Sequence, residues 1–241
     1  LINSSPRPKG GVKKHPPFVE ELLQLLDIEY EFTNEHTAYE NLYFGDTQGQ
    51  DKNGRRTRPS AVQYKLLQQC IETARVKAQA PEYDKIYLSR RAHANPLNNR
   101  KDVIGEDNTV KRGLTNEDEV VEILTSLGYS EVFGENYTLA EKIVLFNGMK
   151  KYISTAGAGV ANILWTMPKS VSVGGIHTPG FPFPSDHHDS HICTNKQFVK
   201  ATISNYYGKV KFVDPHAGAQ NYNNPWYINN LTAFGKWAAT I

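Results

Sequence analysis

The sequence predicts an α/β protein built on a parallel β-sheet with helices on both faces. From residue 85 onward, short apolar segments alternate with longer segments whose apolar residues recur at helical spacing. Because parallel neighbours need a crossover between strands, this alternation favours a parallel sheet. The composition, 39% hydrophobic and 22% charged over 241 residues, is that of a soluble globular chain and excludes disordered and fibrous classes.

The first third of the chain is predicted to hold two helices and one short strand. Apolar residues at helical spacing predict helices over residues 18–26 and 60–78, and residues 39–44 have strand character. Residues 47–59 are rich in Gly, Asp, Asn and Arg, which predicts a loop. Pro81 breaks the second helix and marks a linker.

The remainder is predicted to alternate strand and helix. Strands are predicted over residues 85–89, 130–133, 151–154, 170–173 and 209–213, and helices over 115–127, 139–146, a short segment through 164, 198–206 and 223–239. Thr115 is the predicted N-cap of the first of these helices, and Gly128 its stop. The apolar residues of the last helix require burial, and we expect them to pack on the N-terminal unit.

These elements divide the chain into three predicted parts. We expect an N-terminal α/β unit at residues 1–80, a Rossmann-like unit at 81–215 and a C-terminal tail at 216–241. No apolar run approaches the roughly 20 residues of a membrane span. The formal charge of +2 gives no general attraction to nucleic acid. Leu1 suggests a trimmed start, and the localisation stays open between the cytoplasm and a lumenal compartment.

The two cysteines are far apart in sequence. Cys70 and Cys193 cannot make a tetrahedral metal site by themselves, and we expect both to be buried free thiols.

Residues suited to ligand binding follow the predicted strands, where doubly wound sheets bind ligands. Arg90 follows the first strand, Arg112 lies in the next loop, and His177 comes soon after the fourth strand. The turn after the third strand leads straight into a helix and contains Gly157, Ala158, Gly159, Val160 and Asn162. Glycines and free backbone N–H groups at a helix start suit a phosphate, although a tight packing turn explains the same glycines.

Four segments in succession resemble glycosyltransferase family 61. They are Tyr-Leu-Ser-Arg at residues 87–90, Arg-Gly-Leu-Thr-Asn-Glu at 112–117, Leu-Gly-Tyr at 127–129 and Gly-Ala-Gly-Val-Ala-Asn at 157–162. The resemblance covers residues 83–173. It implies a GT-B-like fold, in which two Rossmann-like units with parallel sheets face a cleft, the N-terminal one here being short. It also implies inverting, metal-independent transfer from a UDP-sugar to a hydroxyl of a glycan or glycoprotein.

The resemblance also assigns roles to residues. It places donor-binding residues at Arg90, Arg112, Asn116, Glu117, Gly157, Ala158, Gly159, Val160 and Asn162. Glu117 would hold the ribose hydroxyls or orient Arg112, unless it only favours the helix dipole. The family often has His at position 156 and an acidic residue at 174, where this chain has Ala and Gly, and His177 is a possible replacement. The plant branch of the family transfers xylose, which makes xylose the first choice of sugar.

The catalytic base is less defined by the sequence. Asp46 is a candidate because it follows a short strand that could face the acceptor, and the rivals are His177, His188 and Asp186. Residues 185–191, Ser-Asp-His-His-Asp-Ser-His, form a polar surface loop, an acceptor-side or base site, or a zinc or manganese site. The sequence has no Asp-x-Asp triplet, so we expect no metal requirement and no cofactor besides the donor substrate.

Two other classes of function remain open from the sequence. One is a non-catalytic nucleotide- or carbohydrate-binding module, because fold does not fix function. The other is a metal-dependent hydrolase built on the histidine-rich segment.

Overall fold

A computed structural model describes residues 2–3, 17–30, 32–33, 61–91, 114–155, 158–167, 169–178, 200–210 and 226–241. Its α-helices are α1 (Pro17–Leu25), α2 (Ala61–Lys77), α3 (Glu117–Ser126), α4 (Leu139–Gly148) and α5 (Leu231–Thr240). Its strands are β1 (Ile2–Asn3), β2 (Phe32–Thr33), β3 (Lys85–Leu88), β4 (Ser130–Val132), β5 (Lys151–Thr155), β6 (Ser170–His177), β7 (Lys200–Tyr207), β8 (Lys209–Val210) and β9 (Trp226–Tyr227). Two 3₁₀ helices cover Gly134–Asn136 and Ala158–Thr166.

Five parallel strands form the central sheet, in the order β4-β3-β5-β6-β7. The predicted parallel sheet is confirmed, and its topology is consistent with a Rossmann-like α/β fold. From β3 the chain moves to one side to form β4 and then crosses to the other side to form β5. The carboxyl ends of β3 and β5 therefore border a topological switch point, where sheets of this kind bind ligands.

Helices cover both faces of the sheet, as predicted. Ile86 and Tyr152 lie in a core shared with α1, α2, α4 and the second 3₁₀ helix. Their chain neighbours Tyr87 and Ile153 lie in a second core shared with α3 and α5. Because successive residues of a strand point to opposite faces, both faces of the sheet are apolar, as a parallel sheet buried between two helical layers requires.

The C-terminal helix differs from its prediction in extent and in place. Its start is delayed to residue 231 because residues 226–227 form β9, which pairs antiparallel with β8. The helix packs on α3 and on the second core, where Phe234 is fully buried and Trp237 Nε1 donates a hydrogen bond of 2.8 Å to Ser204 Oγ on β7. Its apolar face covers β6 and β7. The division of the chain into two units near residue 80 stays a prediction.

The prediction of a helix over residues 198–206 was wrong. This segment is β7, which pairs in parallel with all of β6, from Ser170 opposite Lys200 to His177 opposite Tyr207. Its β-branched and aromatic residues favour a strand. The partner β6 also runs beyond its predicted end at residue 173, because Gly174 and Gly175 continue the ladder. The strand predicted over residues 39–44 lies outside the described residues.

The predicted burial is confirmed for Cys70, one of the two cysteines. Cys70 is a free thiol in α2 with 1% of its surface exposed, and burial raises the pKa of this thiol. Cys193 lies outside the described residues. Within the described ranges, no helix is both long enough and apolar enough to cross a membrane.

Candidate functional site

The site is built at the carboxyl edge of the sheet, around the ends of β3 and β5. The two strands are neighbours, with Leu88 opposite Ser154 in the register. Ser89 and Arg90 follow β3, and the 3₁₀ helix that begins at Ala158 follows β5. The fold therefore brings the first arginine and the glycine turn of the sequence prediction to the same edge.

A buried carboxylate fixes the end of β3. Glu117, in the first turn of α3, is 7% exposed, and its Oε1 accepts three hydrogen bonds. The donors are Tyr87 Oη at 2.7 Å, Ser89 Oγ at 2.9 Å and the backbone N–H of Arg90 at 3.0 Å. Among the described residues none donates to Oε2. The carboxylate thus holds the end of β3 to α3 and fixes the backbone of Arg90, the residue predicted to bind the diphosphate.

The electrostatics around Glu117 keep its phenol partner protonated. Burial, and then the negative charge of Glu117, raises the pKa of Tyr87 well above its ordinary value. A phenol that stays protonated remains a hydrogen-bond donor. Ser89 extends the network, because its Oγ also accepts the backbone N–H of Arg91 at 3.2 Å. Sequence reasoning missed this role of Glu117, since the motif at residues 87–90 does not show that its two hydroxyls reach a carboxylate 28 and 30 residues later.

Arg91, which follows Arg90 after β3, is held by two carboxylates. Arg91 Nε donates to Glu131 Oε1 at 2.8 Å, its Nη2 donates to Glu131 Oε2, and its Nη1 donates to Asp118 Oδ1. Chiefly the hydrogen bond to Glu131 raises the pKa of Arg91 above its usual range. The bidentate pair with Glu131 holds the end of β3 to β4, and the pair with Asp118 holds it to α3. Arg91 is therefore a structural arginine.

Asn116 joins the start of α3 to the C-terminal segment. Its Nδ2 donates to the carbonyl of Ile228 at 3.0 Å, and its Oδ1 accepts the backbone N–H of the same residue at 3.0 Å. The side chain is thereby occupied and does not cap α3, which begins at Glu117. The predicted N-cap at Thr115 was wrong, because α3 begins at Glu117 and its N-cap position is therefore Asn116. The backbone N–H of Thr115 donates to the Trp226 carbonyl.

An open pocket of about 730 Å³ lies beside Asn116, between the amino ends of α3 and α5. The helix α3 starts at the carboxyl edge of the sheet, so the pocket is on the same edge as Arg90. The residues that line it are Thr115, Asn116, Glu119, Tyr227, Ile228, Asn229, Asn230, Leu231 and Thr232. Its volume is within the range of small-molecule sites.

The start of the second 3₁₀ helix is held by hydrogen bonds to the carbonyl of Gly159. The carbonyl of Gly159 accepts hydrogen bonds from Tyr152 Oη at 2.8 Å and Asn162 Nδ2 at 3.0 Å. Val160 is fully buried in the core on the α4 side. These contacts give Gly159, Val160 and Asn162 structural roles, and their contact with a donor stays a prediction.

His177 ends β6 and is fully buried. Its Nε2 lies 3.0 Å from Asn205 Oδ1 on β7, and its ring stacks on Tyr207 with centroids 5.2 Å apart. Burial lowers the pKa of His177, although the hydrogen bond to Asn205 opposes the shift. The ring is therefore neutral at neutral pH, which is the state that a general base requires.

The other predicted site residues lie outside the described residues. These are Asp46, Arg112, Gly157 and His188, together with the histidine-rich segment at 185–191. Of Ala158 the structure describes the backbone, as the first residue of the 3₁₀ helix. In the ranges that the structure covers, no group of three or more His, Cys, Asp and Glu is arranged to hold a metal ion.

Comparison with protein families supports one of the classes that the sequence left open. Residues 16–173, more than half of the chain, match the family described as Glycosyltransferase 61. The chain belongs to glycosyltransferase family 61. Membership supports a glycosyltransferase activity, which implies a sugar donor and an acceptor. None of the curated proteins compared matches the chain.

The family 61 match confirms the resemblance and widens it. The four motifs cover residues 83–173, whereas the match begins at residue 16 and so includes α1 and α2. Both helices pack on α4 in the first core. At its other end the match stops inside β6 at residue 173, ahead of β7 and α5.

Gly159, the second glycine of the family 61 turn, packs closely against Leu88, and this close approach can be tested. A Cβ on Gly159 would lie 2.6 Å from Leu88 Cδ2, so the Leu88 side chain would have to move aside at the end of β3. We expect Gly159→Ala to lower the free energy of unfolding by about 0.5 to 1.5 kcal/mol in urea denaturation, the cost of moving Leu88 off its preferred rotamer.

Gly148→Ala is the matched control for this substitution. Gly148 is the last residue of α4, and a Cβ there meets nothing within 4 Å. It should leave stability unchanged or raise it by about 0.4 to 1 kcal/mol, because alanine restricts the unfolded chain. Equal stability of the two variants would contradict the close approach of Gly159 to Leu88.

Proposed function

We propose that this chain transfers a sugar from a UDP-sugar to a hydroxyl of a glycan or glycoprotein acceptor, with inversion at the anomeric carbon. The observation that carries the proposal is the meeting of two motifs at one edge of the sheet. The end of β3, fixed by Glu117, and the turn after β5 both border the topological switch point. Family membership supplies the reaction class.

The donor diphosphate is the group that this edge suits best. Arg90 and Arg112 would bind its oxygens through charge-assisted hydrogen bonds, and the backbone of residues 157–160 would approach it closely. Charge develops on the diphosphate as the glycosidic bond breaks, so these groups would stabilise the departing UDP. The pocket beside Asn116 is on the same edge and offers room for the remainder of the nucleotide.

Inversion requires one displacement and one base. A carboxylate or a neutral imidazole would take the proton of the acceptor hydroxyl as that oxygen attacks the anomeric carbon. Asp46, His177 and His188 are the proposed candidates. Burial keeps the ring of His177 neutral at neutral pH, which is the protonation state of a base, although the lowered pKa also makes the ring a weaker one. A GT-B arrangement, with residues 1–80 on the acceptor side of a cleft, belongs to the same proposal.

The proposed sugar is xylose, which the plant branch of the family transfers. A pentose lacks the hydroxymethyl group at C6, so a small pocket would exclude hexoses. We further propose that transfer needs no metal ion, because the sequence contains no Asp-x-Asp triplet to tether one. An N-acetylglucosaminyltransferase of the same family is the alternative.

A nucleotide-sugar panel tests these proposals. We expect UDP and UDP-xylose to raise Tm, UDP-xylose to support transfer, and transfer to persist in EDTA. NMR of the product should show a β-linkage, because UDP-xylose is α-linked and the reaction inverts.

Each other result has a distinct meaning. An α-linked product contradicts the single displacement, and transfer that is lost in EDTA and restored by manganese contradicts metal independence. Turnover of UDP-N-acetylglucosamine but not UDP-xylose contradicts the sugar. Stabilisation by UDP without transfer or donor hydrolysis would identify a non-catalytic binding module.

A further inference from the structure

Two threonine hydroxyls at the carboxyl edge of the sheet are buried and have no hydrogen-bond partner among the described residues. Thr155 and Thr178 are each 7% exposed. Among the described residues, nothing lies within hydrogen-bond reach of either Oγ1. The great majority of buried side-chain polar atoms in folded proteins have a hydrogen-bond partner, and an unpaired one costs stability. A pair of them at a ligand-binding edge is therefore placed to bind polar groups of a ligand.

The two hydroxyls are on adjacent strands. Thr155 is the last residue of β5, where it pairs with Ile176, and Thr178 directly follows β6. Thr155 alternates with Ser154 along β5 and so shares the face of Ile153, on the α3 and α5 side of the sheet. It also stands two residues before Gly157, where the proposed diphosphate turn begins. Thr178 lies one strand further from β3 and Arg90.

We infer that the hydroxyls of Thr155 and Thr178 bind a sugar ring of the donor substrate. A ligand that reaches both must extend beyond the diphosphate, away from the arginine side. In a UDP-sugar the group next to the diphosphate, in either direction, is a sugar ring: the ribose or the transferred sugar. Its hydroxyls donate and accept hydrogen bonds, as threonine hydroxyls do. The inference rests on the proposed UDP-sugar donor and names residues that would contact it.

Thr→Val substitutions test the inference because valine keeps the shape of threonine and removes its hydroxyl. In the free chain the hydroxyls have no partner among the described residues, so Thr155→Val and Thr178→Val should each raise Tm by about 2 to 4 °C. In the complex each variant loses one hydrogen bond, so Kd for UDP-xylose should rise about 2- to 12-fold. Higher stability with weaker binding is the opposite of what a structural hydroxyl would give.

Thr166→Val is the matched control. Thr166 is fully buried, and its Oγ1 donates to the carbonyl of Ile163 at 2.7 Å. Loss of this satisfied hydroxyl should lower Tm and leave Kd for UDP-xylose unchanged.

Titrations with UDP and with UDP-xylose separate the two sugar rings. Weaker binding of both ligands assigns the hydroxyls to the ribose, and weaker binding of UDP-xylose alone assigns them to the transferred sugar. Unchanged Kd for both ligands in a chain that carries Thr155→Val and Thr178→Val together overturns the inference. A fall in the Tm of that chain, like the fall expected for Thr166→Val, overturns it as well. If UDP and UDP-xylose fail to bind the wild-type chain, the proposed function fails and the inference fails with it; a raised Tm in the variants would then still show that the hydroxyls are unpaired.

Discussion

Glu117→Ala is expected to lower the free energy of unfolding by about 2 to 6 kcal/mol, measured by urea denaturation. The substitution removes the acceptor of Tyr87 Oη and Ser89 Oγ, which are buried and would lose a hydrogen bond each, and of the Arg90 backbone N–H. It also frees the end of β3 from α3. We therefore expect UDP affinity to fall as well, since the position of Arg90 depends on this contact.

Two further variants isolate the role of the carboxylate. Glu117→Gln keeps one oxygen as an acceptor and should recover most of the stability and of the UDP affinity. Asp118→Ala removes the neighbouring acid, which makes one ion pair with Arg91 and is 82% exposed, so it should change stability by no more than about 1 kcal/mol. A Glu117→Ala chain as stable as Asp118→Ala would contradict the described network.

Arg90→Ala and Arg112→Ala should each weaken UDP binding about 10- to 150-fold in isothermal titration. The expectation corresponds to the loss of one charge-assisted contact with the diphosphate, about 1.5 to 3 kcal/mol. The same variants should lose transfer, because the leaving group is no longer stabilised. Arg112 lies outside the described residues, so this prediction for it comes from the family motif.

Arg91→Ala is the control beside Arg90. The guanidinium of Arg91 pairs with Glu131 and Asp118, so its loss should lower stability and leave UDP affinity nearly unchanged. Unchanged UDP affinity in both Arg90→Ala and Arg112→Ala would rule out the proposed diphosphate site. A large loss of affinity in Arg91→Ala alone would move the site toward β4.

The parallel sheet could be predicted because burial on both faces leaves a strong local pattern. Short apolar strands at residues 85–88 and 151–155 alternate with amphipathic helices, and this order permits few topologies. The segment at 198–206 was misassigned because Ile203, Tyr206 and Tyr207 satisfy a helical spacing as well as a strand. Pairing with β6 decides between the two, and sequence spacing carries no information about that partner.

Part of the candidate site could be predicted because its motifs lie at the ends of predicted strands. Motif spacing placed Arg90, Glu117 and the glycine turn at strand ends, and the sheet brings those ends together. The sequence could not show that Arg91 is ion-paired or that Asn116 binds the backbone of Ile228, 112 residues away. Such contacts depend on tertiary approach, and a single sequence gives no signal for them.

A crystal structure of the chain with UDP bound tests the central claim most directly. We expect the diphosphate at the carboxyl ends of β3 and β5, within hydrogen-bond distance of Arg90 and of the backbone of residues 157–160. UDP bound elsewhere, with no contact to Arg90, Arg112 or that turn, would contradict the claim.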